Sequence, residues 1–297
     1  MDRVGFIGLG AMGRPMSGNV MKAGFPLTVW ARRPESADEL RAAGAGWADS
    51  PGKLAAMVDV LILCVTNSPD VEALVSGSEG ILTGAGKNLI VVDMSTIAPE
   101  MSRSLAERCQ AQGVQFLDAP VSGGTLGADA GTLSVMVGGE AEALARVRPV
   151  LEAMGRKIFH VGPSGSGEVI KLVNNVLAGA IAAATAEALV LGAKAGADVA
   201  TMAEVIGASS GASWQLSNHF PRRAFSGTFE PGFMTDLLVK DLGLALDLGA
   251  DSGVPLFLTA LARQLYSVAQ AAGFGRCDYT SLLRVLESAT GTSVRTS

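Results

Sequence analysis

Short apolar runs alternate with longer amphipathic segments over the first 160 residues of this chain. The runs are rich in Val, Ile, Leu and Phe and too short for helices, which favours strands, while apolar spacings of three and four residues favour helices between them. The predicted strands are Val4–Ile7, Leu27–Trp30, Val60–Val65, Leu89–Asp93 and Gln115–Asp118, with Leu133–Val137 and Ile158–Val161 extending the same sheet. The predicted helices are Arg14–Ala23, Glu35–Ala43, Ser50–Ala56, Pro69–Val75, Ala98–Gln112 and Glu140–Met154. This alternation predicts an α/β fold with a doubly wound sheet.

The strand pattern stops after Gly165-Ser-Gly167. Gly and Pro then separate a series of helical segments. These are Glu168–Ala195, Val199–Ile206, Ser213–Asn218, Asp236–Gly249, Pro255–Ala272 and Tyr279–Thr290. We therefore predict an N-terminal α/β domain over residues 1–164 and an all-α domain over residues 165–297, joined by the first, long helix.

The middle of that long helix, from Leu172 to Ala186, contains no charged residue. It is shorter than the ~20 apolar residues of a membrane span and includes Asn174 and Asn175. A helix that is apolar on nearly every side is typical of one buried between domains or between subunits.

Composition narrows the possible partners. The 297 residues are 48% hydrophobic with a net charge of −5, which indicates a globular protein without general attraction for nucleic acid or anionic membranes, so we expect a small-molecule partner. Three widely spaced cysteines and two histidines, His160 and His219, support neither a disulfide framework nor a metal site, and we interpret both histidines as structural. The N-terminal residues lack signal-peptide features, which favours a cytoplasmic location.

A glycine-rich turn, Gly8-Leu-Gly10-Ala-Met-Gly13, lies between the first predicted strand and the first predicted helix. The first glycine permits a tight turn, the second lets a pyrophosphate approach the backbone, and the third allows close packing of helix and strand. Since an ordinary glycine turn would look similar in isolation, its position in a strand-turn-helix unit is what predicts a Rossmann nucleotide site.

The second predicted strand ends in Trp30-Ala-Arg32-Arg33, where NAD enzymes carry an acidic residue. Guanidinium groups match a 2′-phosphate and a carboxylate would repel it, so these residues favour NADP over NAD. The alternative is that Arg32 and Arg33 are solvated loop residues.

Asp118-Ala-Pro-Val-Ser122-Gly123-Gly124 follows another apolar strand. Successive N–H groups beside a serine hydroxyl can bind a carboxylate or phosphate, although a plain glycine turn is the alternative.

Lys171 lies near the start of the long helix, with Asn175 one turn later on the same face. Partial burial would lower the pKa of this lysine and suit it to proton transfer at a carbonyl or alcohol oxygen, which Asn175 could help to hold. A surface lysine beside a helix asparagine is the alternative. Lys240-Asp241 forms another charged pair in an apolar helix, which either faces the cofactor or is explained by an Asp236–Lys240 pair on a solvated face.

Four of these segments together resemble the signature set of the β-hydroxyacid dehydrogenase family, and the resemblance spans nearly the whole chain. They are the glycine turn that ends at Gly13, Asp118–Gly124, Gly165–Asn175 and Lys240-Asp241. The resemblance implies that Lys171 is the catalytic lysine assisted by Asn175, that Ser122, Gly123 and Gly124 bind the substrate carboxylate, and that Lys240 lies close to substrate and cofactor. It also implies homodimers or homotetramers. The implied cofactor contacts are Gly8, Gly10, Ala11, Met12, Gly13, Arg32, Arg33, Val65, Thr66, Asn67, Thr96 and Lys240.

The sequence thus predicts an NAD(P)-dependent oxidoreductase that interconverts a small β-hydroxy carboxylate and its semialdehyde. The alternatives are a related imine or phosphogluconate-type oxidoreductase and a non-catalytic nucleotide-binding module. The substrate stays open, since Arg32 is similar to the pattern of glyoxylate/succinic semialdehyde reductases whereas the Lys240 segment is similar to 2-(hydroxymethyl)glutarate and tartronate semialdehyde enzymes.

Overall fold

A nine-stranded sheet forms the centre of the first half of the chain in this computed structural model, which describes residues 1–296. The strands are β1 (Val4–Ile7), β2 (Leu27–Trp30), β3 (Gly46–Trp47), β4 (Val60–Leu63), β5 (Ile90–Asp93), β6 (Gln115–Asp118), β7 (Val121–Ser122), β8 (Leu133–Gly138) and β9 (Gly155–Gly162). The helices between them are α1 (Gly13–Lys22), α2 (Asp38–Ala42), α3 (Pro51–Met57), α4 (Ser68–Ser76), α5 (Pro99–Gln110), α6 (Gly124–Ala130) and α7 (Ala141–Glu152).

The strand order is β3-β2-β1-β4-β5-β6-β8-β7, with β9 paired to β8. Strands β1 to β6 pair in parallel, whereas β8 is antiparallel to β6 and β7 and parallel to β9. Every residue of β1, β4 and β5 is buried, because helices cover both faces of the sheet. From β1 the chain continues to β2 and β3 on one side, and it then crosses over to β4 on the other side of β1. The switch point at which ligands bind in such sheets therefore lies at the carboxyl end of β1. The predicted doubly wound α/β fold is confirmed.

The second half is helical, as predicted. It contains α8 (Ser166–Lys194), α9 (Val199–Gly207), α10 (Thr235–Asp251), α11 (Phe257–Ala269) and α12 (Leu282–Thr290), with π-helical turns at Gln215–His219, Pro221–Phe225 and Gln270–Phe274. Among the described residues of this half, strand-type pairing is confined to one bridge between Met234 and Asp278. The chain divides into two compact units, Met1–Lys171 and a second that begins at Leu172, so the division falls inside α8.

The middle of α8 packs within the second unit. Tyr266 Oη of α11 donates a hydrogen bond to the Gly179 carbonyl at 2.9 Å, and a Cβ at Gly179 would lie 3.2 Å from the Leu242 side chain of α10. By length and composition alone α8 could cross a membrane, with a mean hydropathy of 1.9 over 18 residues, of which 33% are buried. The contacts with α10 and α11 favour a helix of the protein core, although Val173, Leu177, Ile181 and Leu191 remain exposed.

The short elements β3, β7 and α6 are among those that were not predicted. A two-residue strand has no readable periodicity, and the glycine-rich α6 has low intrinsic helix propensity. Tertiary contact supports α6, because Asn19 Nδ2 of α1 donates to the Ala128 carbonyl at 2.8 Å. The predicted helix Glu35–Ala43 is divided between a 3₁₀ turn, Pro34–Ala37, and α2.

Candidate active site

Each glycine of the turn after β1 lies in a different environment, which shows what the lack of a side chain allows there. Gly8 has a φ of +100°, and a Cβ there would overlap the Cys64 carbonyl oxygen. A Cβ at Gly13 would overlap the Gly8 carbonyl and lie 3.0 Å from the Phe6 ring. Nothing lies within 4 Å of the corresponding point at Gly10, so its bare backbone faces open space.

Helix α1 begins directly after this turn, and no side chain caps its first turn. Ala11 is exposed and Met12 is half-buried, which leaves the N-terminal N–H groups accessible at the switch point of the sheet. The positive end of a helix beside uncovered glycine backbone is suited to a pyrophosphate. The turn therefore fits the phosphates of a nicotinamide dinucleotide.

Two arginines follow β2 and lie, like the glycine turn, at the carboxyl ends of the parallel strands. The Arg32 side chain is 82% exposed, and its Nη1 lies 3.8 Å from the Asp70 carboxylate at the start of α4. Arg33 is also exposed. Such a loose surface ion pair contributes little, so the Arg32 guanidinium is available to a phosphate group, in competition with Asp70.

The loops after β4 and β5 are joined to each other. Val65 N–H donates to Ser95 Oγ at 2.9 Å, and Ser95 N–H donates to Asp93 Oδ1 at 3.0 Å. Thr66 is exposed and Thr96 is half-buried. Asn67 was predicted only as a cofactor contact, but it also has a structural role. Its Oδ1 accepts the Asp70 N–H at 2.9 Å and caps α4.

The Ser122–Gly124 loop connects β7 to α6. Ser122 pairs with Ser134 of β8, while Gly123 and Gly124 adopt φ values of +135° and +61°. These conformations are open to glycine and let the chain turn directly into the helix. Ser122 and Gly124 are half-buried and Gly123 is exposed, so the segment fits both a glycine turn and an anion-binding loop.

Asp118, at the end of β6, holds the N-terminal turn of α8. Its Oδ1 accepts the Gly165 N–H at 2.7 Å and its Oδ2 accepts the Glu168 N–H at 3.2 Å. Burial raises the pKa of the Asp118 carboxyl above its usual range, although these N–H groups oppose that shift. A Cβ would lie 2.7 Å from both carboxylate oxygens at Gly138 and 2.8 Å from Oδ2 at Gly167, so both glycines make room for this carboxylate.

Lys171 is buried on α8, with 8% of its surface exposed, and Asn175 is buried one turn later. The alternative of a surface lysine is therefore wrong. Asn175 Nδ2 donates to Asp241 Oδ2 at 2.6 Å, and Asn175 Oδ1 accepts from Asn174 Nδ2 at 3.0 Å. The amide of Asn175 is thus held in one orientation.

Asp241 is 1% exposed and also lies 2.9 Å, through Oδ1, from Lys240 Nζ. One buried carboxylate therefore holds both Asn175 and Lys240, a role that was not predicted from the sequence. Its signal in the sequence was the charged pair within an apolar helix. Asp236, the other predicted partner of Lys240, accepts a hydrogen bond from Gln270 Nε2 at 2.6 Å.

His219 belongs to a cluster of aromatic and polar side chains in the second unit, in which Tyr279 and Asp278 are buried and Trp214 is exposed. Its ring stacks between Trp214 and Tyr279, with centroids 5.9 and 4.7 Å away, and its Nε2 lies 2.9 Å from Asp278 Oδ1. Burial alone would raise the pKa of Asp278, but His219 and backbone N–H groups, including that of Phe233, outweigh burial and hold the pKa below its usual value. These contacts agree with the structural interpretation of His219.

His160 also has a structural contact, because its Nε2 lies 2.7 Å from the Gly139 carbonyl oxygen.

Comparison with known proteins matches both halves of the chain. Residues 3–162 match the family described as the NAD binding domain of 6-phosphogluconate dehydrogenase, and residues 165–286 match the NAD-binding domain of NADP-dependent 3-hydroxyisobutyrate dehydrogenase. The chain is 43% identical to 3-hydroxyisobutyrate dehydrogenase of Pseudomonas aeruginosa, over 96% of this chain and 98% of that protein. It is 41% identical to 2-(hydroxymethyl)glutarate dehydrogenase of Eubacterium barkeri, over 98% of this chain and 97% of the relative.

A solved structure of Mycobacterium tuberculosis 3-hydroxyisobutyrate dehydrogenase with L-serine superposes with a TM-score of 0.90 at 34% identity, covering 96% of this chain and 99% of the other. These similarities extend over essentially the full length of the chain. The chain belongs to the β-hydroxyacid dehydrogenase family of NAD(P)-dependent oxidoreductases.

Proposed function

We propose that this member of the β-hydroxyacid dehydrogenase family interconverts a small β-hydroxy carboxylate and its semialdehyde, with Lys171 as the general acid and base. The observation that carries the proposal is a buried lysine, 8% exposed, in the same unit as the bare glycine turn and the Ser122–Gly124 loop. Burial of a lysine is costly unless its charge or its proton is used, which is typical of a functional site.

The nicotinamide supplies or accepts the hydride when the cofactor is bound. Lys171 Nζ gives a proton to the carbonyl oxygen during reduction and takes it back from the hydroxyl during oxidation. The Ser122 hydroxyl and the N–H groups of Gly123 and Gly124 hold the substrate carboxylate. Asn175 uses one Nδ2 hydrogen for Asp241 and offers the other to the substrate oxygen.

The preferred cofactor is NADP. The exposed Arg32 guanidinium supports this choice, because it can rotate from Asp70 to a 2′-phosphate at little cost. Arg33, the next residue, provides a second positive charge beside Arg32.

The protein acts as a homo-oligomer, a homodimer or homotetramer. Support comes from large apolar side chains exposed on two helices of the second unit, Leu177 and Leu191 on α8 and Phe257, Leu258 and Leu261 on α11. Apolar surface of this kind is typical of a protein interface.

A spectrophotometric panel of hydroxyacids, semialdehydes and imines with each nicotinamide cofactor tests the function. We expect turnover of a small hydroxyacid or semialdehyde. Lys171→Ala should lower kcat by about 10²–10⁴-fold while leaving the cofactor dissociation constant nearly unchanged, because only the proton transfer needs the amine.

Retention of more than about a tenth of wild-type kcat in Lys171→Ala would contradict its assigned role. Turnover of imines alone would support the imine reductase alternative. Cofactor binding without any turnover would support the non-catalytic alternative.

A further inference from the structure

We propose that Glu168 and Asp118 are positioning residues that fix Lys171 relative to the two loops on which its chemistry depends. The proposal rests on the proposed function for the role of Lys171, but the positioning itself can be measured without turnover. All the residues concerned belong to the first unit, Met1–Lys171.

Glu168 is fully buried, three residues before Lys171 on α8. Its Oε2 accepts the Ile97 N–H at 3.2 Å. Ile97 directly follows Ser95-Thr96, the loop after β5 to which the family resemblance assigns a cofactor contact. One side chain therefore ties the helical turn before Lys171 to that loop.

Asp118 supplies the second tie. It ends β6, four residues before Ser122, and accepts N–H groups from Gly165 and Glu168 at the start of α8. The two glycines packed against its oxygens, Gly138 and Gly167, show that this contact has little room to move. The strand that leads to the Ser122–Gly124 loop is therefore tied to the helix that carries Lys171.

The first turn of α8 is thus held at two points, one leading to each loop. Residues three apart on a helix lie on neighbouring positions of one face, so a shift at Glu168 passes directly to Lys171. A displacement of about 1 Å at a reacting group can lower a rate about 10²-fold. Loss of either tie should therefore reduce turnover through Lys171 rather than through cofactor binding.

The test compares Glu168→Ala, Glu168→Gln, Asp118→Ala and Asp118→Asn. Glu168→Gln keeps an oxygen that can accept the Ile97 N–H, whereas Asp118→Asn keeps only one of the two acceptors. Asp59→Asn is the control, because Asp59 also accepts a backbone N–H, from Arg3 at 2.9 Å. Asp59 directly precedes β4 and so lies at the amino ends of the parallel strands, whereas the glycine turn lies at their carboxyl ends.

We expect both alanine variants to lower kcat at least about tenfold, with the cofactor dissociation constant within about twofold of wild type. Glu168→Gln should recover most of the activity, Asp118→Asn should be intermediate, and Asp59→Asn should match wild type. In a Lys171→Ala background, Glu168→Ala and Asp118→Ala should cause no further loss, because the residue through which they act is gone.

Equal losses in the presence and absence of Lys171, or no loss in either alanine variant, would overturn the proposal. A second readout is the acylation rate of the Lys171 amine, followed by mass spectrometry with exposed Lys53 as internal reference. It should rise in both alanine variants and not in Glu168→Gln. An unchanged rate contradicts the positioning even if the enzyme is a dehydrogenase, whereas a raised rate without detectable dehydrogenase activity contradicts only the proposed function.

Discussion

Replacement of Asp241 by alanine should destabilise the second unit and release Asn175. Asp241 is 1% exposed and accepts Asn175 Nδ2 at 2.6 Å, so its removal leaves a buried donor without that acceptor, at a cost of about 1–3 kcal/mol. The Lys240 side chain is 23% exposed and can turn toward water, so the lost ion pair adds only about 0–1 kcal/mol. The sum is roughly 1–4 kcal/mol, which at about 2 °C per kcal/mol for a chain of this size corresponds to a fall of roughly 2–8 °C in Tm.

Asp241→Asn keeps an oxygen for Asn175 and should cost only about 1 kcal/mol, or roughly 2 °C in Tm. Differential scanning fluorimetry of both variants, alone and with Asn175→Ala, separates the two contributions. With Asn175 already replaced, Asp241→Ala should lose most of its effect, since the donor is absent. If alanine and asparagine at position 241 lower Tm equally, or if Asn175→Ala leaves the effect of Asp241→Ala unchanged, the hydrogen bond is not the source of the stability.

Three further predictions concern the cofactor, the substrate and pH. Arg32→Asp should raise the Michaelis constant for NADPH far more than that for NADH, because a carboxylate repels a 2′-phosphate; an equal rise for both would show that Arg32 does not contact the phosphate. Ser122→Ala should raise the Michaelis constant of a carboxylate substrate by an amount equivalent to about 1–3 kcal/mol but spare its uncharged analogue, and equal losses for the two would remove the carboxylate assignment. The pKa of Asp278 is lowered in the folded protein, so its ionised form stabilises the fold above the unfolded pKa of about 3.9, and that stability is lost as pH falls through the lower, folded value. Urea unfolding should therefore show a gap between wild type and Asp278→Asn that narrows from pH ~6 to pH ~3, and a gap independent of pH would contradict this sign.

The fold could be predicted because most of its strands are buried on both faces. The apolar run Val4–Ile7 has the bounds that the sequence predicted, and so does Gln115–Asp118, whose last three residues are buried. Elements whose stability comes from tertiary contact were missed, and α6 is the clearest case, since its support from Asn19 comes from more than a hundred residues earlier in the chain. The local periodicity of apolar residues cannot reveal such a long-range contact.

The candidate site divides in the same way. The glycine turn and Lys171 could be found because each is a short motif in a recognisable element. Asp241 is adjacent to Lys240, which was predicted as a site residue. Its partner Asn175, however, lies 66 positions away, and no periodicity in the sequence connects the two. Asn67 shows a different limit, because a residue selected for a ligand contact can already be used as a helix cap.

The Asp118 contacts join two of the glycine-containing motifs in the structure. Asp118 lies 47 positions before Gly165, and the two segments were selected separately, one as an anion-binding loop and the other as the start of a helix. In the structure they form one unit, since the carboxylate of the first motif accepts the N–H groups of the second, and Gly167 is small where that carboxylate lies. Replacement of Gly167 by alanine should therefore disturb the Asp118 oxygens as surely as replacement of Asp118 itself. Gly167 of the second motif makes room for the acid of the first, so neither motif can be interpreted fully without the other.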